Sequence, residues 1–190
     1  MNKGVRAVLF AVMAAAILAT PVSQIVKYER VLKEGRAFKF KTRPVDPYDA
    51  FRGRYVQLTF DGLTVALPAG LAYRRDADVY ARLGESNGFA RVEAISEARP
   101  PDTPDYVKVE MGWYTDYPTN RRVQVHVPFS QFFMNEKLAP EAEAAYRQFN
   151  RRGTTDVWAV VKVLDGRGVI ENLYFDGVPV ADFLKNKERP

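Results

Sequence analysis

The sequence predicts an α+β fold, in which an N-terminal transmembrane helix precedes a mainly β domain of about eight strands with one prominent helix over residues 138–152. Three observations support this. Residues 7–26 carry no charge. Most later apolar segments alternate with polar residues at a period of two, which is typical of strands. Only residues 138–152 combine helical apolar spacing with helix end signals. The length of 190 residues suits one domain with an appendage.

The uncharged segment is long enough to cross a bilayer, because twenty helical residues extend about 30 Å. Lys3 and Arg6 precede it, a form shared by uncleaved signal anchors and cleaved signal peptides. Ala14-Ala15-Ala16 lies mid-segment and no better cleavage site follows Ala19, which favours an anchor. A buried core helix is disfavoured, because a helix that is apolar on all sides has no stripe to dock. We therefore predict residues 1–26 as a transmembrane signal anchor.

Two groups of basic residues give opposite indications of the side of the membrane on which the domain lies. Lys3 and Arg6 favour a cytoplasmic N-terminus, whereas basic residues after the helix favour the reverse: Lys27, Arg30, Lys33, Arg36, Lys39 and Lys41. Because the short basic start is typical of export signals, and large domains translocate despite flanking charge, we expect a single-pass inner-membrane protein of the bacterial envelope with a periplasmic domain. Residues 27–43 form a basic juxtamembrane segment and a first strand; alternatively, this segment lies on anionic lipid headgroups.

Strand predictions follow from alternation and β-forming composition. Asp61-Gly62 and Asp165-Gly166 predict turns, and 84–88 predicts a hairpin loop. The nearly continuous apolar segment 157–164 predicts a central strand covered on both faces. The predicted strands are 37–41, 55–60, 79–83, 89–95, 106–111, 122–127, 157–164 and 169–175.

The helix over 138–152 is marked at both ends. Pro140 suits its first turn and Glu141 lies near the positive end of the helix dipole. Arg151 and Arg152 lie near the negative end, and Gly153 ends the helix. Its apolar stripe comprises Leu138, Ala142, Ala145 and Phe149.

Residues 44–60 read PVDPYDAFRGRYVQLTF. This segment resembles the hallmark of the GDYXXLXY family of membrane-anchored proteins, in which a Pro-x-Asp-Pro segment leads into Arg-Gly-Asp-Tyr-x-x-Leu-x-Tyr. Arg54 replaces the motif's aspartate and Phe60 its last tyrosine. The resemblance continues at 125–129, at the helix start and at the final hairpin ending 175–177, so we assign 44–190 to a GDYXXLXY-like domain. The matching motif positions are Pro44, Asp46, Pro47, Arg52, Gly53, Tyr55 and Leu58.

The resemblance implies an accessory role, because members of this family look like accessory proteins often encoded beside polytopic membrane proteins. We therefore expect a non-catalytic interaction or assembly module, held by lipid through its helix and associated with a polytopic membrane protein. The motif itself has two interpretations. In the first, it is a structural corner that leads into a strand, with Arg52 paired to Asp46 or Asp49. In the second, it is a surface that binds a partner or a small anionic ligand through Arg52 and Arg54. The candidate binding residues are Asp46, Arg52, Gly53, Arg54 and Tyr55.

No catalytic residue, metal site or cofactor is predicted. The chain has no cysteine and one histidine, His126, and its glycines are isolated, so no phosphate-binding loop is recognisable. Residues 55–190 hold 17 basic and 19 acidic residues, which disfavours nucleic-acid binding. We expect the chain not to be an enzyme. The alternative is an envelope hydrolase or glycan-binding protein that uses an aromatic and acidic patch of Glu110, Trp113, Tyr114, Asp116 and Tyr117.

Overall fold

One long helix begins the chain and runs directly into the first strand. The computed structural model describes residues 3–43, 55–117, 120–135, 138–152 and 157–187. Helix α1 spans Lys3–Glu34 and strand β1 spans Arg36–Arg43. Val8–Glu34 contains a window long and apolar enough to cross a membrane, and none of that window is buried by the rest of the domain.

The polar side chains within the apolar part of α1 are bonded inside the helix. The Thr20 hydroxyl donates to the Ala16 carbonyl at 3.1 Å, and the Ser23 hydroxyl donates to the Thr20 carbonyl at 2.7 Å. They flank Pro21, which lacks an N–H. Because lipid offers no hydrogen-bond partners, this arrangement suits a helix in a bilayer.

The last turn of α1 belongs to the core of the domain. Val31 is 3% exposed, and the Gly35 N–H donates to the Val31 carbonyl at 2.9 Å. A Cβ on Gly35 would meet that carbonyl oxygen and the backbone of Val163. Helix and domain are therefore joined by one tightly packed residue and not by a linker.

The described residues after β1 form eleven further strands and two further helices. Two five-stranded antiparallel sheets have the orders β12-β11-β10-β1-β3 and β4-β8-β7-β5-β6, and β2 pairs with β9. The elements are β2 (Tyr55–Gln57), β3 (Thr59–Phe60), β4 (Thr64–Ala66), β5 (Asp78–Ser86), β6 (Phe89–Ser96), β7 (Tyr106–Tyr117), β8 (Asn120–His126), β9 (Gln131–Phe133), α2 (Ala139–Arg152), β10 (Val157–Leu164), β11 (Arg167–Phe175), β12 (Val178–Pro179) and α3 (Val180–Lys187).

The two sheets enclose one hydrophobic core and are linked by the β10–β11 hairpin. Its tip adds to the edge of β7, where the Lys108 N–H donates to the Gly166 carbonyl at 3.0 Å and the Gly166 N–H donates to the Tyr106 carbonyl at 3.1 Å. The core includes Phe38 and Phe40 of β1. The hairpin tip is thereby fixed against the second sheet.

The α+β prediction is confirmed: an apolar N-terminal helix precedes a mostly β domain. The predicted helix 138–152 is α2, with the predicted stripe facing the core. The predicted strand 55–60 is interrupted at Leu58, whose N–H donates to the Ser130 carbonyl at 2.7 Å. The predicted 84–88 loop is shorter, because β5 runs to Ser86 and only Asn87-Gly88 turns, with φ of 53° and 77°. The short strands β4, β9 and β12 and the helix α3 are additional.

Candidate functional site

Tyr28 of α1 lies between two grooves that open where the helix meets the domain. It is 49% exposed and follows the last residue of the apolar segment, Val26, by two positions. At about 1.5 Å per helical residue, Tyr28 lies roughly 3 Å along the axis from Val26. Tyrosine is enriched at this level of membrane proteins. Both grooves therefore lie just beyond the end of the apolar segment of α1.

The first groove is predominantly apolar and has a volume of about 560 Å³. We call it the apolar groove; its lining includes Tyr28, Pro128, Phe129, Phe133, Val169 and Ile170. Phe129 is buried and lies 5.4 Å, ring to ring, from Phe40. Phe133, by contrast, is 67% exposed. The groove thus has a fixed floor and an exposed aromatic rim.

The motif strand β2 borders this rim. Tyr55 is the register partner of Phe133 in β9, and the two ring centroids are 5.6 Å apart. Val56 and Leu58, on the opposite face from Tyr55, are buried in the core. The alternation of this segment therefore directs one tyrosine toward the rim of the apolar groove, while its neighbours hold the strand in place.

The second groove, of about 390 Å³, is lined by charges of both signs. We call it the mixed-charge groove. The Lys108 ammonium lies 2.5 Å from an Asp78 carboxylate oxygen. Asp78 accepts this hydrogen bond and thereby raises the pKa of Lys108, which is therefore a cation at neutral pH. The groove's principal residues are Tyr28, Asp78, Lys108, Glu110, His126 and Arg167.

Three strands bring the acidic residues of this groove beside the histidine. Asp78 of β5 is the register partner of Glu110 in β7, which is the register partner of His126 in β8. The imidazole lies over Gly112, where a Cβ would be 2.6 Å from Nε2. Among the described residues, neither Glu110 nor His126 has an ion pair or side-chain hydrogen bond, and no group of three or more His, Asp or Glu residues is arranged to hold a metal.

A third groove, of about 480 Å³, lies around the tip of the β10–β11 hairpin. The Arg99 Nε donates to the Tyr80 hydroxyl at 3.4 Å, and this bond raises the pKa of Arg99. The rings of Tyr80 and Tyr106 meet edge to face, 5.7 Å apart. We call it the cationic groove; its principal residues are Tyr80, Arg99, Tyr106, Lys108, Asp165 and Arg167.

Comparison with known proteins identifies the family. The family model described as GDYXXLXY protein matches residues 17–173, well over half of the chain. The chain belongs to the GDYXXLXY family. No curated protein and no solved structure matches it. The resemblance seen in the motif is thus confirmed over both the end of the apolar helix and most of the β domain.

Four of the candidate binding residues of this GDYXXLXY protein, Asp46, Arg52, Gly53 and Arg54, lie outside the described residues, as does the proposed pairing of Arg52 with Asp46 or Asp49. The fifth, Tyr55, borders the apolar groove as described above.

The alternative aromatic and acidic patch is divided between different surroundings. Trp113 is 69% exposed, and the Arg75 guanidinium lies 5.5 Å from its ring centroid. Tyr114 instead stacks on Tyr73 at 4.7 Å and packs against the core. A bulge between Met111 and Tyr114 separates the two aromatics. Glu110 joins the mixed-charge groove, Asp116 is exposed, and Tyr117 ends β7, with its side chain outside the described part.

Three of the basic juxtamembrane residues of the GDYXXLXY protein, Arg30, Lys33 and Arg36, pair with acidic partners. Arg30 pairs with Glu34 at 2.8 Å, and Lys33 with Glu29 at 3.7 Å, both within α1. Arg36 bridges from β1 to Asp105 at 2.7 Å and to Glu85 at 3.0 Å. The segment therefore contains ion pairs within α1 and one basic residue, Arg36, that bridges to the β domain.

Proposed function

We propose that this GDYXXLXY protein is a membrane-anchored, non-catalytic module that docks on a polytopic membrane protein through the apolar groove, with its domain on the periplasmic side of the inner membrane. The observation that carries the proposal is the tightly packed junction at Gly35, which fixes the groove relative to the apolar helix. If α1 spans the bilayer, a partner that itself lies at or in the membrane is within reach of this groove. The exposed Phe133 and the apolar side chains that line most of the groove suit an interfacial segment of such a partner.

The chemistry of the described residues supports binding over catalysis. His126 is exposed, and it forms no described hydrogen bond to a carboxylate that would orient it as a base, as nucleophilic catalysis requires. The Asp78 carboxylate is engaged in an ion pair with the Lys108 ammonium, and Glu110 acts electrostatically on the same ammonium, so neither carboxylate is set apart as a general acid.

Photo-crosslinking in intact membranes tests the docking proposal. A photoreactive residue replaces Phe133 in one variant of the full chain and Trp113 in a second. The two positions are matched, because both are exposed aromatics at 67% and 69%, but only Phe133 lines the apolar groove. We expect a discrete crosslink to a membrane protein from position 133 and none from position 113, detected as a shifted band and identified by mass spectrometry.

The same two variants distinguish the docking proposal from its main alternative, a glycan-binding or hydrolytic envelope protein. The exposed Trp113 indole, with Arg75 beside it, is a surface on which a sugar ring could stack. Crosslinking from position 113 to peptidoglycan fragments, with none from 133 to protein, would favour that rival and contradict docking through the apolar groove.

A further inference from the structure

We propose that the cationic groove binds the phosphate of an anionic phospholipid headgroup. This inference does not rest on the docking proposal, because it concerns a different groove and a different ligand. The cationic groove carries three cationic side chains, Arg99, Lys108 and Arg167, against one carboxylate, Asp165. The mixed-charge groove beside it carries Lys108 and Arg167 against Asp78 and Glu110. Of these two grooves, only the cationic groove at the hairpin tip has an excess of positively charged side chains.

The two arginines are the available phosphate ligands. Within the described part of the chain, neither Arg99 nor Arg167 forms an ion pair with a carboxylate, whereas Lys108 is engaged by Asp78. Both arginines are exposed at the groove, so binding does not require the core to open. A guanidinium offers paired N–H donors that match phosphate oxygens, and the bond is charge-assisted.

Each of the two arginines is positioned by a different part of the fold. Arg167 directly follows the Asp165-Gly166 turn, whose tip is hydrogen-bonded to β7. Arg99 is held against Tyr80 by its 3.4 Å hydrogen bond, and Tyr80 packs on Tyr106. Two cations from distant parts of the sequence are thus presented to one cavity by elements whose backbones are held in place.

The height of the groove selects lipid as the source of the phosphate. Arg167 lines the mixed-charge groove together with Tyr28 of α1, and Asp165 lies within electrostatic range of Arg30, the fourth residue after Val26, so the hairpin tip lies near the end of the apolar segment. At about 1.5 Å per residue, Arg30 is roughly 6 Å along the axis beyond the apolar segment, and tilting brings it closer to the hydrocarbon. Each headgroup layer is about 5–7 Å thick. The groove therefore opens at the level of lipid phosphates.

Lipid retention by the purified full chain tests this site. The chain is extracted in detergent, phosphatidylglycerol or phosphatidylcholine is added in equal amounts, and bound lipid is counted by native mass spectrometry. We expect preferential retention of phosphatidylglycerol, reduced roughly tenfold by Arg99→Ala or Arg167→Ala, as loss of a charge-assisted hydrogen bond implies. Arg74→Ala is the matched control: it removes one positive charge from an exposed arginine paired with Glu97 and should leave retention unchanged.

The competing outcomes are distinct. Equal retention by the wild-type chain, both groove variants and Arg74→Ala would overturn the site, because the attraction would then be the diffuse charge of the whole protein. Binding of inorganic phosphate alone, lost in Arg167→Ala and as tight as that of phosphatidylglycerol, would overturn lipid as the source. Thermal melting of each variant confirms that a loss of retention reflects the groove and not unfolding.

Discussion

Gly168 lines both grooves beside α1, and its lack of a side chain contributes to their shape. A Cβ at this position would collide with the Phe129 ring, and Phe129 packs on Phe40 and Phe60 at 5.4 and 5.9 Å. We expect Gly168→Ala to lower the free energy of unfolding by about 1–3 kcal/mol, because a buried ring must be displaced. Denaturant unfolding of the detergent-solubilised chain measures this.

The control is Gly84→Ala, where the added methyl group would meet only the flexible side chain of Glu93. That side chain can turn into solvent, so this variant should stay within about 0.5 kcal/mol of wild type. Equal losses in the two variants would show that Phe129 is not the fixed floor of the apolar groove.

The residues of the grooves were only partly predictable from sequence. Alternation placed Tyr55 opposite Val56, and the structure keeps it there, at the groove rim. Proximity in the sequence groups Glu110 with nearby aromatics. Its surroundings in the structure are set instead by the strand register, which pairs it with Asp78 and His126. Alternation alone does not specify this register. Arg99 and Arg167 lie far apart in sequence and meet only because the hairpin tip docks on β7. An arginine directly after an Asp-Gly turn was the available signal.

Among the secondary-structure elements, those with local signals were predicted and those made by tertiary pairing were not. The turn at Asp165-Gly166 has φ of 48° and 85°, as a two-residue hairpin requires. Strands β4 and β9 are three residues each, too short for a period to be read. Helix α3 is also short, although Pro179 immediately before it and its buried Val180 and Leu184 are weak helix signals.

The close packing at the junction between α1 and β1 predicts that a side chain at Gly35 lowers stability. Gly35→Ala should lower the free energy of unfolding by about 1–3 kcal/mol, since a methyl group there meets backbone atoms of Val31 and Val163, which cannot rotate away. Gly4→Ala, in α1 with nothing within 4 Å, is the control and should not destabilise. Thermal melting in detergent compares them. A Gly35→Ala protein as stable as Gly4→Ala would mean that the helix is loosely attached.

At the scale of the whole molecule, burial distinguishes the apolar part of α1 from the residues that form the core of the β domain. The large apolar residues of α1 from Val5 to Val26 are exposed, whereas Val31 is the first buried hydrophobic residue along the described chain. The apolar part of α1 thus contributes nothing to the core of the domain, and its exposure to water would be unfavourable by about 25 cal/mol per Å² of apolar surface. A lipid environment removes that penalty.

We therefore expect membrane attachment and folding to be separable by truncation before Lys27. The full chain should resist alkaline extraction from membranes. A variant comprising residues 27–190 should appear in the aqueous fraction and melt cooperatively within a few degrees of the full chain, because it retains Val31 and Gly35 and loses no core side chain. Sedimentation after carbonate treatment and circular dichroism measure the two properties. Extraction of the full chain by carbonate, or a truncated chain that fails to fold, would contradict this division between an apolar anchor and a self-sufficient β domain.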